Sequence, residues 1–279
     1  MKLAIITGAD GGMGSEITRA VAAEGYQIIM ACYRPAKAEE VRKRIMHETG
    51  NPHVEVRKLD LSSLASVASF AEMVLKRGER IDLLMNNAGT MGAERCMTED
   101  DLERTVCVNY VAPYLLTRKL LPLMGRGSRV VNMVSCTYAI GRLDFPDFFL
   151  RGRKGSFRRI SIYSNTKLAL MLFTIDLANR LREKGILVNA ADPGVVSTNI
   201  ITMHMWFDPL TDIFFRPFIR TPLQGAATAI DLLLNEDAGQ RTGTLNVNGR
   251  PKSLSEKYTK HKQMTCLWNQ TEELVKNWL

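Results

Sequence analysis

The chain has 279 residues, long enough for one large domain that buries a substantial core. Its 46% hydrophobic and 24% charged composition excludes a disordered, collagenous or coiled-coil chain. Lys and Arg number 37 against 29 Asp and Glu, and the resulting +8 suits a phosphate-bearing ligand, an acidic substrate, an anionic membrane surface or simply a solvated basic face. The five cysteines are scattered, odd in number and free of Cys-x-x-Cys spacing, so neither a disulfide framework nor a metal site is expected. The first apolar run, residues 3–6, is too short for a signal peptide, and no uninterrupted apolar stretch of about eighteen residues occurs. The expectation is a cytoplasmic protein without a transmembrane segment.

In chain order, short β-branched runs at 3–7, 27–32, 54–59, 81–85, 129–134, 186–191 and 244–247 predict seven strands. Between the first six, apolar residues recur at spacings of three and four, as in Ile17, Val21 and Ala22 or Val67, Phe70, Ala71 and Val74, which predicts amphipathic helices. Strand and helix alternating in this way imply one α/β domain, a doubly wound parallel sheet of about seven strands with helices on both faces. Three stretches break the rhythm: 141–159, 199–222 and a polar tail over 250–279. In such a sheet ligands bind beyond the carboxyl ends of the strands, where the first two would lie and shape a substrate pocket.

Chemistry is concentrated at strand ends. After the first strand, Thr7-Gly8-Ala9-Asp10-Gly11-Gly12-Met13-Gly14 forms a glycine-rich turn opening a helix, the arrangement that brings backbone N–H groups and a helix N-terminus to a pyrophosphate. Seven tyrosines and fourteen lysines give ~0.35 chance occurrences of Tyr-x-x-x-Lys. Tyr33 with Lys37, Tyr163 with Lys167 and Tyr258 with Lys262 all satisfy the spacing, but Tyr163 alone opens a long apolar helix immediately before a strand. There the two side chains share a helix face, and a nearby ammonium favours the phenolate of a group whose unperturbed pKa is ~10.

These motifs resemble those of the short-chain dehydrogenase/reductase family. Thr7, Gly8, Gly12 and Gly14 match its glycine signature; Asn86-Asn87-Ala88-Gly89 follows strand four, and Asp192-Pro193-Gly194-Val195-Val196-Ser197-Thr198 follows strand six. The resemblance implies a Rossmann-type fold and a catalytic tetrad of Asn109, Ser135, Tyr163 and Lys167. Tyr163 would exchange a proton with the substrate oxygen, and Lys167 would lower its pKa and hold ribose hydroxyls. Ser135 would polarise that oxygen and Asn109 would support a water in the relay. Cofactor contacts are expected from Thr7, Gly8, Asp10, Gly12, Met13 and Gly14, and from Arg34, Lys37, Asp60, Leu61, Asn87, Ala88 and Gly89. Tyr163, Lys167, Pro193, Gly194, Val196 and Thr198 complete the set.

After strand two stand Ala31-Cys32-Tyr33-Arg34 and then Lys37, with two cations and no carboxylate, which favours NADP(H) over NAD(H); Asp10 in the glycine turn works against it. The sequence looks most like the retinol-dehydrogenase-like and WW-domain-oxidoreductase-like branch. Residues 199–222 are apolar and aromatic, suiting a hydrophobic carbonyl or alcohol substrate, a lid helix or weak contact with a membrane surface. Five cations between Arg151 and Arg159 read as a solvated loop or an anion contact, and nothing suggests nucleic acid. The resemblance further implies a homodimer or homotetramer paired through 114–121 and 168–181. The alternative to an oxidoreductase is a catalytically idle dinucleotide-binding sensor or scaffold of the same fold.

Overall fold

The computed structural model of the protein describes residues 1–145, 147–150, 157–196 and 220–279. The strands are β1 (Leu3–Thr7), β2 (Gln27–Cys32), β3 (Val54–Lys58), β4 (Ile81–Asn86), β5 (Arg129–Met133), β6 (Leu187–Asp192), β7 (Leu245–Val247) and β8 (Arg250–Lys252). They form one eight-stranded sheet in the order β3-β2-β1-β4-β5-β6-β7-β8, parallel except for the β7–β8 pair. The order reverses direction between β1 and β4, which opens a crevice at their carboxyl ends.

Each central strand is apolar on both sides because both faces are covered. Ile5 of β1 joins a cluster with α3 (Leu64–Arg77), α5 (Ala112–Leu120) and α6 (Arg159–Leu181). Ile6, one residue on, joins a second cluster with α1 (Gly12–Ala23), α2 (Pro35–Thr49) and α7 (Pro222–Leu234). A short α4 (Arg104–Val106) runs into a π-helical turn, Cys107–Val111, before α5. The buried Glu103 carboxylate caps α4, accepting the N–H groups of Thr105 at 2.8 Å and Val106 at 3.1 Å.

Two expectations need correction. The 250–279 tail is not a polar appendage: it supplies β8 and a helix, α8 (Met264–Val275), that buries Leu267, Thr271 and Val275. Met264, Trp268 and Leu274 flank that stripe, half-buried against the core, and the outward positions Thr265, Asn269, Gln270 and Glu273 are polar because they face away from it. Trp268 of α8 packs on Tyr114 with ring centroids 5.3 Å apart, and lies between the guanidinium groups of Arg118 at 4.9 Å and Arg180 at 3.8 Å. Tyr110 and Thr271 share a hydrogen bond of 2.8 Å, and Tyr114 and Arg118 both donate to Glu272. The helices expected to pair with a second copy therefore carry α8 over this face.

The second correction concerns 141–159. Among its described residues, Leu143, Phe148 and Phe149 are core, with Phe148 edge-on to Tyr110 at 5.7 Å. Part of this stretch is a packed wall rather than a loop over the crevice. Arg151, Arg153 and Lys154, together with residues 199–219, lie outside the described residues.

Candidate active site

The glycine turn connects β1 to α1 at the crevice. Gly8 has φ +61°, a conformation that favours glycine, and a Cβ there would sit 3.1 Å from Ala88. A Cβ on Gly14 would overlap the Gly8 carbonyl oxygen and approach Asn87 Nδ2 at 2.8 Å. Among the described residues no side chain caps the first turn of α1, so its N–H groups face the crevice as an anion-binding end. Thr7 Oγ1 accepts the N–H groups of Asn87 and Ala88, each at 3.0 Å, and Asn87 Nδ2 donates to the carbonyls of Thr7 and Gly8. Among the described residues Asn87 Oδ1 is left buried without a partner. A bare glycine cradle, an uncapped helix end and an orphaned buried acceptor together fit a dinucleotide.

A cavity of about 170 Å³ continues from this turn. Gly8, Asp10, Asp60, Leu61, Ala88 and Gly89, all expected at the cofactor from the sequence, line it together with Tyr33, Ser62, Thr90, Arg104 and Val108. These last five were missed; Arg104 and Val108 come from the helical segment after β4, one turn apart, and only the chain's return brings them to β1. The Asp10 carboxylate is a hydrogen-bonding neighbour of the Cys32 thiol, which burial and this anion push up to about 12. Arg34 and Lys37 are exposed at the start of α2 and make no ion pair among the described residues. Met13 packs under α7, and Gly225 of that helix has no room for a Cβ between Met13 and Val196.

The four tetrad residues arrive from separate elements. Asn109 sits in the π-helical turn, a widening of the helix that recurs at functional sites. Its Oδ1 accepts the Thr90 N–H at 2.8 Å, while Nδ2 donates to the Thr90 carbonyl at 2.8 Å and to Thr166 Oγ1 at 3.2 Å. The side chain is thus a clamp on the loop after β4, fully engaged with protein groups. Lys167 is 3% exposed, and its Nζ donates to the Met133 carbonyl at 2.9 Å. The same Nζ lies 5.5 Å from the centre of the half-buried Tyr163 ring.

Ser135, extended at the end of β5, presents its hydroxyl to the Tyr163 phenol. The lowered phenol pKa expected from the Tyr163–Lys167 pair is not present. Burial pushes Tyr163 up to about 12 and outweighs the Ser135 hydrogen bond, with the Asp192 carboxylate and the Cys136 thiol acting in the same upward direction. Burial also brings Lys167 down to about 8, and Asp192 opposes that fall. The ammonium is drawn to a strand carbonyl rather than to the phenol oxygen.

Pro193 and Gly194 follow β6, Gly194 with φ +72°, and the Arg220 guanidinium lies over them, donating to the Pro193 carbonyl at 3.2 Å. Val196 is buried and bridges Arg220; Thr198 lies outside the described residues. No group of His, Cys, Asp and Glu side chains among the described residues is arranged to hold a metal ion. The geometry brings a phenol, a serine hydroxyl and an ammonium together at the carboxyl ends of β5 and β6, beside the dinucleotide cradle.

Comparison with known proteins agrees. The family model described as short chain dehydrogenase matches residues 2–146 and 150–204. Retinol dehydrogenase 12 of Mus musculus is 35% identical over 276 residues, covering 98% of this chain and 86% of that protein. Retinol dehydrogenase 13 of Mus musculus is 34% identical over 281 residues, covering 98% and 84%. Among solved structures, an uncharacterized protein from Mycobacterium Paratuberculosis aligns with a TM-score of 0.80 at 28% identity, covering 99% of this chain and 94% of that one. A blue fluorescent protein from a metagenomic library, in complex with NADPH, aligns with a TM-score of 0.69 at 26% identity, covering 88% and 95%. With fold, cradle and strand-end residues in agreement, the chain belongs to the short-chain dehydrogenase family and is an oxidoreductase of that family.

Proposed function

We propose that the protein is an NADP(H)-dependent alcohol dehydrogenase or carbonyl reductase acting on a hydrophobic substrate. The observation that carries this reading is the meeting of Tyr163, Ser135 and Lys167 beside the dinucleotide cradle. When bound, the nicotinamide supplies or accepts the hydride. In reduction Tyr163 gives its proton to the carbonyl oxygen, which the Ser135 hydroxyl holds and polarises. Lys167, charged below about pH 8, steadies the developing phenolate and holds ribose hydroxyls. Asn109 keeps the Thr90 loop at a fixed distance from this group.

NADP(H) is favoured because the exposed Arg104 lines the cavity beside the glycine turn and the exposed Arg34 and Lys37 follow its Tyr33 in sequence, against the carboxylates of Asp10 and Asp60. The NADPH complex of the metagenomic relative supports the same cofactor. A hydrophobic substrate is supported by Ile140, Ile160, Val195 and Leu223, large apolar side chains exposed on segments that border the crevice. The names of the retinol dehydrogenase relatives point the same way. The test is a panel of hydrophobic aldehydes, ketones and alcohols followed by NADPH and NADH absorbance. Tyr163→Phe is expected to abolish turnover while NADPH still binds; unchanged turnover in that variant overturns the assignment.

A further inference from the structure

Asp192 ends β6 and is 2% exposed. Strand alternation settles which way it faces: Ala190 packs in the cluster containing α6, Ala191 in the opposite one, and Asp192 returns to the α6 side. In the β5–β6 register Met133 pairs with Ala191, and the Val134 N–H donates to the Ala191 carbonyl at 2.9 Å. Asp192 therefore stands beside Val134 and Ser135, and Lys167 reaches the same place from α6 to bond the Met133 carbonyl.

Both groups are poorly served by their immediate contacts. Among the described residues the Lys167 ammonium makes that one hydrogen bond and no ion pair. Asp192 Oδ1 accepts the Gly194 N–H at 2.9 Å, and Oδ2 has no protein partner among the described residues. A buried ammonium with a single carbonyl partner is costly unless an opposite charge lies in its field. We propose that Asp192 is a positioning residue of the active site, a buried counter-charge that keeps Lys167 an ammonium and Tyr163 a protonated phenol.

The roles of Lys167 and Tyr163 in this inference rest on the function proposed above. Around Lys167 stand the Tyr163 ring on its own helix and Asp192 from β6, with Asn109 and Gly89 as neutral neighbours. Around Tyr163 stand Ser135 and Cys136 from the segment after β5, and Asp192. Asp192 is the carboxylate common to both, and it raises the proton affinity of each. The site thus rests in the proton-donating state that carbonyl reduction requires.

Asp192→Asn keeps an oxygen for the Gly194 N–H and removes the charge alone; Asp192→Ser, with a shorter acceptor, is the second variant should the first fold poorly. The readout is ¹³C NMR titration of protein labelled at lysine Cε, the Lys167 resonance being the one missing from Lys167→Gln. The wild-type midpoint is expected at about 8, falling in Asp192→Asn by roughly one pH unit, a tenfold loss of proton affinity. An unshifted midpoint in a folded variant overturns the proposal. NADPH binding across the same pH range separates the two claims. A shifted lysine in a protein that binds no NADPH upholds the counter-charge and removes the NADP(H) reading; an unshifted lysine in a protein that binds NADPH removes the counter-charge alone.

Discussion

Replacing Lys167 with Met is expected to stabilise the protein while ending its chemistry. The ammonium is 3% exposed, and burial brings its pKa from 10.5 down to about 8. That displacement of about 2.5 on the pH scale, at about 1.4 kcal/mol per unit, is a penalty of ~3 kcal/mol carried by the folded state near neutral pH. Met fills a similar volume without charge but forfeits the bond to the Met133 carbonyl, worth about 1 kcal/mol. The net gain is therefore about 2 kcal/mol.

The pH dependence carries the sharper test. Below the folded value of about 8 both folded and unfolded chains hold the proton, and the penalty is full. Between there and 10.5 the unfolded chain binds more proton, so wild-type stability climbs with pH and the advantage of the variant fades. Urea unfolding near pH 7 and again near pH 10, compared through the transition midpoint at constant slope, measures this. A variant less stable than wild type near pH 7, or a gap of equal size at both pH values, refutes the reasoning.

Gly14→Ala drives a methyl into the Gly8 carbonyl and is expected to cost about 3 kcal/mol and abolish NADPH binding; an unchanged melting temperature contradicts the close packing of α1 on β1. Arg34→Ala and Lys37→Ala are each expected to weaken NADPH about tenfold, with NADH affinity little changed, in fluorescence titrations; equal losses for both cofactors contradict the NADP(H) assignment. Trp268→Ala removes the ring held between Arg118 and Arg180 and is expected to cost about 3 kcal/mol in urea unfolding. Sedimentation of the intact chain is expected to show no pairing through α5 and α6, since α8 covers that face; a dimer that exposes α8 to hydrogen exchange contradicts this.

Much of the fold was legible because its signals are local. Residues 3–7 and 27–32 coincide with β1 and β2, the glycine turn and the Asn-Asn-Ala-Gly loop fall at the expected strand ends, and Tyr163 with Lys167 fall on the expected helix before β6. A seven-strand reading missed β8, whose three residues, Arg250–Lys252, are all exposed and have no apolar alternation to display. The α8 helix was read as a tail for the same reason: it buries a narrow stripe.

Within the site, the residue types were visible and their electrical environment was not. Spacing along α6 dictates that Tyr163 and Lys167 share a face, since helical periodicity is a property of neighbouring residues. That the phenol is pushed up rather than down follows from how many groups exclude water around it, which depends on β5, β6 and the segment after β5 converging. Asp192 stood in the Pro-Gly motif as an unremarked neighbour, and the pleat of β6 turns it toward Lys167. Arg104 and Val108 reach the cavity beside the glycine turn through a long-range return of the chain. Local pattern thus determined the elements and the motif positions, whereas burial and charge pairing were decided by tertiary structure, because both depend on groups distant in sequence meeting in space.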